Sequence, residues 1–486
     1  MYQDLILTGN RPTYLQIKDY LKELVLSGVL QAGSQLPASR ELSAILKVSR
    51  NTIIQAYRYL EDDGFVYTVQ GQGTFVAEID LRLENTPTPA FRFDWPDSVT
   101  GLARKAVDLD IEKHELKWAK GMISFKSIAP DETLFEMAEF KKAFLQRISL
   151  QGEKLLNYGY AKGYKPLIEY LVYYMKNKGV DPDGKDILIT NGFTEAFNLM
   201  LEALCQPGDA VICENPTHNT ALKIMKLSGV EITGIPLTET GIDLLKLEAA
   251  LSQKRYKLGY LIPSYHNPTG LVMPLEKRMA VLESFTRHRV PLIEDGFNEE
   301  LKFSGSHVAP LLALSGATNH LIYLGSFSKI LFPGIRVGWI MGDAGLIAIL
   351  ESLKRSKNIH TSTLDQALLF EYLQSGQFEK YLKKARRVYK ERHETAIQLA
   401  QKYIPCQKVW GQGGLHIFIE LNSGLNAREI LNICYQKGVL FLPGDIFYSD
   451  GSGASTFRLG ISRVKPEDME QGFKIIGETI RELSST

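Results

Sequence analysis

The chain has 486 residues, 44% hydrophobic and 23% charged, with Lys+Arg 56 against Asp+Glu 55 and a formal net charge of +1. This is ordinary globular composition, long enough for two or three domains, and it excludes an intrinsically disordered chain. The charge balance also excludes bulk attraction to nucleic acid or to a membrane surface, so any DNA binding must be local.

The four cysteines, Cys205, Cys213, Cys406 and Cys434, lie far apart with no C-x-x-C pair. That pattern argues against a zinc site and against a disulfide framework, so no metal is expected and a reducing compartment fits. The amino terminus lacks a basic stretch leading into a long apolar one, and no run approaches the ~18 apolar residues of a membrane span. The expectation is a soluble cytoplasmic protein with no membrane partner.

Residues 1–76 form the first unit. Pro12 opens a helical pattern with Tyr14, Ile17, Leu21 and Leu24 on one stripe, ended by Gly28. A second short helix after Leu36-Pro37 carries Leu42, Ile45 and Leu46. A third follows Ser49, a good N-cap, and buries Ile53, Tyr57 and Leu60 before Gly64 stops it. The run FVYTVQGQGTFV then reads as two β-rich segments about a Gln-Gly-Gln-Gly turn. Three helices and a hairpin make a winged helix-turn-helix.

A recognition helix enters the major groove by its amino end, which makes Arg50, Asn51, Thr52 and Gln55 the candidates for base reading. Arg40 and Lys47 are placed to meet phosphate, and Gly71 and Gly73 in the wing allow close approach of backbone to DNA. The same residues also suit the solvated faces of a small docking module. The stretch LPASRELSAILKVSRNTIIQAYRYLEDDGFVYTVQGQGTFV resembles the DNA-binding domain of GntR-type bacterial repressors along its full length. One departure is Ala38, where that family usually has a serine capping the second helix. Such a cap is worth on the order of 1 kcal/mol, and Ser39 is expected to take the role one residue later. The near balance of acid and base in this unit predicts modest non-specific affinity and reliance on dimeric half-site contacts.

Residues 77–118 have linker composition: three prolines in ENTPTPAFRFDWPDSVT, then the charged run RKAVDLDIEKHELKWAK. Phe91 and Trp95 suggest that part of it packs against something.

From 119 to 486 strands alternate with helices, the pattern of an α/β sheet with crossovers. Strands are expected at 186–190, 210–214, 257–263, 290–295, 320–326 and 336–341, with apolar continuity that implies burial on both faces. The strand DILIT turns into a helix through Gly192, offering the Phe193 and Thr194 amides and the Thr194 hydroxyl as an anion site. At other strand ends stand His218, Asn267, Asp295 and Lys329. Lys329 lies beside Ser326 and Ser328 in SFSKILFPGIRVGW, with Arg336 beyond a Pro-Gly turn. An unprotonated lysine forms a Schiff base with an aldehyde, and hydroxyls with a guanidinium suit a phosphate. Together they indicate pyridoxal 5'-phosphate (PLP). Taken singly, each residue has a bland reading: a surface lysine, a capping aspartate, a common NPTG turn, a structural histidine.

The order and spacing of these residues resemble the fold type I aminotransferases over most of 119–486. The resemblance implies a mostly parallel sheet with flanking helices and a smaller C-terminal subdomain. It implies Lys329 as the Schiff-base lysine, Asp295 as the partner of the pyridine nitrogen, Asn267 as donor to the cofactor's phenolate oxygen, and His218 as the stacking ring. Phosphate falls to Phe193, Thr194, Ser326, Ser328 and Arg336. Tyr158 in NYGYAKGYKPL resembles the tyrosine that reaches the phosphate of a neighbouring subunit, which implies a homodimer. Arg458 in STFRLGISRV resembles the arginine that grips a substrate α-carboxylate. Where these enzymes commonly carry a tyrosine two or three residues after the aspartate, Phe297 and Asn298 stand here. Either Asn267 alone serves the phenolate oxygen, or Asn298 supplies the second donor.

A winged helix ahead of a whole aminotransferase domain is the layout of the MocR-type subfamily of GntR regulators. That resemblance implies a transcriptional regulator binding double-stranded DNA and sensing an amino acid, another amine, or PLP itself. An active aminotransferase moving an amino group between an α-amino acid and a 2-oxo acid is the alternative.

Overall fold

The computed structural model describes residues 2–78, 93–303 and 308–484. They divide into two compact units, Met1–Ser98 and Val99–Thr486.

The first unit is a winged helix. Helices span Thr13–Leu26, Ser39–Leu46 and Arg50–Asp62, and the strands Val66–Val69 and Gly73–Val76 pair antiparallel. Its core joins Ile17 and Leu21 of the first helix, Leu42 of the second, Ile53, Ala56 and Leu60 of the third, and Val66 and Val76 of the wing. Ser49 caps the third helix as expected, its side chain accepting from the Thr52 amide at 3.1 Å. The second helix differs from expectation. Ala38 is its N-cap with no side-chain hydrogen bond, and Ser39, already inside the helix, accepts from Arg50 Nε at 3.2 Å instead of capping. The wing glycine Gly73 has a packing reason of its own. At φ 129°, a Cβ there would lie 2.5 Å from Gln35 Nε2, whose amide donates to the Gln72 carbonyl at 2.6 Å.

Phe91 lies outside the described residues. Trp95 is 69% exposed and its ring contact is Phe93, 4.6 Å away, so it is not an anchor in a core. The latter half of the expected linker is structured: short helices at Gly101–Asp108 and Ile111–His114 fold with the second unit.

The second unit is built on an eight-stranded sheet. Its order is Lys185–Thr190, Gly338–Asp343, Leu321–Ser326, Leu292–Asp295, Leu258–Leu261, Ala210–Asn215, Glu231–Thr238 and Gly241–Ile242. The five strands from Leu321–Ser326 to Glu231–Thr238 run parallel, while Gly338–Asp343 is antiparallel to both its neighbours. Parallel strands joined by helices are buried on both faces, which explains the unbroken apolar runs. All six expected strands are present. Glu231–Thr238 was not legible as one, since Gly234 and Pro236 interrupt it and most of its residues are only half-buried or exposed.

The smaller subdomain has its own four-stranded sheet, ordered Lys408–Trp410, His416–Glu420, Thr456–Gly460 and Leu442–Pro443, with a separate core. Helices Gln377–Tyr403, Ala427–Gln436 and Pro466–Ser484 cover it. Ile123–Ser124 pairs in parallel with Val439–Leu440, which ties the chain entering the second unit to this subdomain. Among the described residues no helix is long and apolar enough to cross a membrane.

Candidate functional site

A cavity of about 660 Å³ opens where the carboxyl ends of the parallel strands meet the small subdomain, and Lys329, His218, Asn267 and Arg458 all line it. Strand ends in such sheets carry backbone groups and side chains free of the ladder, which is why sites collect there. His218 caps the helix Asn219–Leu227 after the strand Ala210–Asn215, Asp295 ends its own strand, and Lys329 follows Leu321–Ser326. Arg458 comes from the small sheet and donates to Asn267 Oδ1 at 2.8 Å, joining the two subdomains through buried side chains.

The residues expected around a phosphate are brought together by sheet register. Ser326 pairs with Gly338, and a Cβ on Gly338 would come within 2.8 Å of Gly192 Cα. Gly192, at φ 81°, leads into the helix Phe193–Leu204 without a side-chain cap, which leaves the leading amides of Phe193 and Thr194 available. A Cβ on Gly192 would in turn lie 3.3 Å from Arg336 Nη2, which donates to the Asn191 carbonyl at 2.8 Å. Ser326 Oγ accepts from the Ser328 amide at 3.2 Å, leaving the buried Ser328 hydroxyl unpartnered. Glycine at 192 and 338 thus keeps open a cradle between a helix start, two hydroxyls and a guanidinium.

Electrostatics separate the roles of the ionisable groups. Asp295 is buried and accepts from Tyr260 Oη at 2.7 Å. Burial pushes its carboxyl up to about 7, and the bonds from the Tyr260 hydroxyl and the Phe297 amide only partly offset this. A cation facing it holds such a group ionised. Burial, then the charges of Lys329 and Arg458, press His218 down to about 3, so its ring is neutral. Burial lowers Arg458 to about 9, which leaves it charged at neutral pH. Lys329 is lowered to about 8, first by burial and then by Arg458, Arg463 and Arg336.

The last shift has a measurable result. The unprotonated amine is the nucleophile, so capture of an aldehyde by the cofactor-free protein is expected to accelerate as pH rises through about 8 and to level off above it, rather than climbing toward the ordinary 10.5. Stopped-flow absorbance with PLP reads this directly. A rate still rising steeply at pH 10 would contradict the lowered value.

The donor set fits PLP. Asn267 Nδ2, Ser328 Oγ and Arg458 Nε are buried with no hydrogen-bond partner among the described residues. Orphaned buried donors are costly, and a phenolate oxygen, a phosphate and a carboxylate are the acceptors those positions want. Asn298 is likewise buried with both amide atoms unpartnered, in left-handed backbone at φ 57°. Phe297 lies among rings, 6.3 Å from His218 and 6.4 Å from His416. Tyr158 stands apart from these residues, 80% exposed, with its ring 6.1 Å from His360. Tyr260 was missed in the sequence because it reads as one more β-strand aromatic.

On the winged helix Arg40, Arg50, Asn51 and Gln55 are exposed, whereas Thr52 is half-buried with its hydroxyl bonded to Ser49 Oγ at 2.7 Å.

A mostly parallel sheet presenting this lysine, aspartate and phosphate cradle is a PLP-dependent aminotransferase fold, here carried behind a winged helix. Residues 124–476 match aminotransferase class I and II, and residues 13–76 match the bacterial regulatory proteins of the gntR family. The chain belongs to the aminotransferase class I and II family, joined to a GntR DNA-binding domain in the MocR-type arrangement. The uncharacterized HTH-type transcriptional regulator YdfD of Bacillus subtilis is 28% identical, over 98% of this chain and 97% of its own length. The 2-aminoadipate transaminase of Thermus thermophilus is 31% identical over 75% of this chain and 91% of its own. Among solved structures, the α-aminoadipate aminotransferase LysN of Thermus thermophilus, complexed with N-(5'-phosphopyridoxyl)-L-leucine, superposes with a TM-score of 0.74. It is 29% identical and covers 81% of this chain and 100% of its own.

Proposed function

We propose that this protein is a PLP-dependent transcriptional regulator that binds a double-stranded DNA operator and senses an amino acid through its aminotransferase-like domain. The observation that carries this reading is coverage. Regulators match both units end to end, as YdfD does, and the Escherichia coli regulator YdcR does so over 96% of this chain. The aminotransferase relatives match 75% to 83% of the chain.

PLP, when bound, supplies an aldehyde that exchanges amines and a ring that withdraws electrons. The protein's share is to hold and aim. Lys329 would anchor the aldehyde, Asp295 would stay ionised against the ring nitrogen, Asn267 would donate to the phenolate oxygen, and the neutral ring of His218 would stack on the cofactor. The cradle of Phe193, Thr194, Ser326, Ser328 and Arg336 takes the phosphate, and Arg458 takes the ligand carboxylate. Tyr158, exposed in one subunit, is assigned to the phosphate of a second, in a cytoplasmic homodimer. Arg50, Asn51 and Gln55 face the bases, with Arg40 on phosphate. Sensing requires that the ligand bind one arrangement of the dimer better than another.

Nearly every catalytic position is filled, Phe297 being the departure, and this favours one second reading, an active aminotransferase using an α-amino acid and a 2-oxo acid. Binding of the full-length, PLP-loaded protein to DNA upstream of its own and neighbouring genes, across a panel of amino acids, separates the two. A footprint or affinity that shifts with one amino acid supports the sensor. No specific complex, together with repeated consumption of an amino acid and a 2-oxo acid, would replace it with the enzyme. A footprint that shifts with PLP alone would make the cofactor the signal.

A further inference from the structure

The segment 108–118, which leads from the winged helix into the aminotransferase fold, forms one wall of the cavity. Asp110, Glu115 and Trp118 line it alongside Lys329 and Arg458. Glu115 is the residue of interest. One oxygen meets Lys126 Nζ at 2.5 Å, and the other is buried with no hydrogen-bond partner among the described residues. Lys126 in turn accepts at its carbonyl from Arg458 Nη2 at 3.2 Å, so both cations belong to one corner of the cavity. Among the described residues the hydrogen bonds of Arg458 go to neutral oxygens, those of Asn267 and Lys126, and the acid whose charge acts on it is Glu115. A buried guanidinium with an orphaned Nε, a nearby lysine and a carboxylate with a free oxygen are the parts of a carboxylate-binding site, with the carboxylate supplied by the protein itself.

Elsewhere the strap is held by one partly buried apolar side chain, Leu116, packed against the small-subdomain core, and by a few polar contacts. Asp110 reaches Lys223 at 3.5 Å across a partly exposed gap, and Tyr435 donates to the Lys117 carbonyl at 3.1 Å. The helix in it, Ile111–His114, is only four residues long, and Gly101–Asp108 just before it eight, short enough to depend on tertiary contacts for their order. It also divides the opening in two: a second cavity of about 310 Å³ shares Ile111, Glu115, Asn219 and Lys223 with the first.

We propose that this strap is a competitive plug, in which Glu115 holds toward Lys126 and Arg458 the place of a ligand carboxylate, so that a carboxylate-bearing ligand must displace the strap to bind. The competition stands on the cavity alone. Its consequence for DNA rests on the sensor reading, because the displaced segment is the stretch of chain that runs to the winged helix.

Succinate is the probe, since it carries carboxylates but no amine for Lys329 chemistry, and succinamide is its uncharged control. In the full-length, PLP-loaded protein, saturating succinate is expected to raise amide hydrogen exchange across 108–118, leaving the helix Lys165–Asn177 unchanged, while succinamide does nothing. Glu115→Gln should raise that exchange without ligand and tighten succinate by roughly tenfold, the scale of one partly buried charge contact. Lys126→Gln should free the strap equally but weaken succinate. Opposite effects on affinity from two variants that both loosen the strap are the signature, and a purely structural strap would give none. Unchanged exchange and affinity in Glu115→Gln would overturn the plug, as would a strap that stays protected under saturating succinate. If the strap opens but DNA binding ignores every amino acid, the plug stands and the sensor falls. If an amino acid shifts DNA binding while the strap stays protected, the sensor stands and the plug falls.

Discussion

Lys329→Ala is expected to abolish the long-wavelength absorption of the PLP-loaded protein and to weaken cofactor retention on the order of a hundredfold, equivalent to about 2.7 kcal/mol. The side chain lines the cavity with Arg458, and its amine is lowered to about 8 chiefly by burial. The other lysines lining this cavity are placed differently: Lys126 and Lys223 are each paired with a carboxylate, and Lys117 is exposed. Borohydride reduction of the wild type followed by peptide mapping should therefore place the label on the peptide containing Lys329. The cradle is untouched by the substitution, so the variant should still bind PLP weakly, and it should bind DNA as the ligand-free wild type does. A label on another lysine, or an unchanged spectrum, would show that the site is wrongly assigned.

Leu60→Ala is expected to have an effect of similar size at the other end of the chain. Leu60 is 0% exposed in the winged-helix core, where truncation to alanine costs about 2–5 kcal/mol through lost burial and a residual cavity. A domain this small commonly has only 5–15 kcal/mol in all, so a substantial part of its stability goes. The winged helix has a core separate from those of the aminotransferase fold. Calorimetry should show one transition moved several degrees down and the other unmoved, with DNA binding lost at the lower temperature and the PLP spectrum intact. Loss of the PLP spectrum at the same temperature would mean that the two units do not unfold independently.

Much of this architecture was legible from pattern. The six strands whose residues are buried on both faces read as apolar runs, and the third helix of the first unit announced itself through Ser49 and the spacing of Ile53, Tyr57 and Leu60. His218, Asn267 and Lys329 could be named as candidates because each follows a strand, and Asp295 because it ends one. What escaped was tertiary. Tyr260 supports Asp295 from a neighbouring strand, a contact set by register, and sequence carries no mark of it. Ser39 looked like a cap, yet its hydroxyl turns to Arg50 eleven residues on. The charged run around Glu115 has the composition of a linker because its carboxylates are matched by cations remote in sequence, Lys126 and Lys223.

The antiparallel strand Gly338–Asp343 has a bearing on how the protein matures. It lies between Leu321–Ser326, its immediate predecessor in sequence, and Lys185–Thr190, the first strand of the sheet to be synthesised. Gly192 and the helix start at Phe193 come from the early strand, while Ser326, Ser328 and Arg336 come from the late pair, so the cradle is assembled across the longest excursion the sheet makes. Closing so distant a pairing is slow and comes after local structure has formed. If these residues hold the cofactor phosphate as proposed, a half-made or partly folded chain has no place for it, and a bound cofactor would stabilise the finished sheet by mass action without guiding its formation.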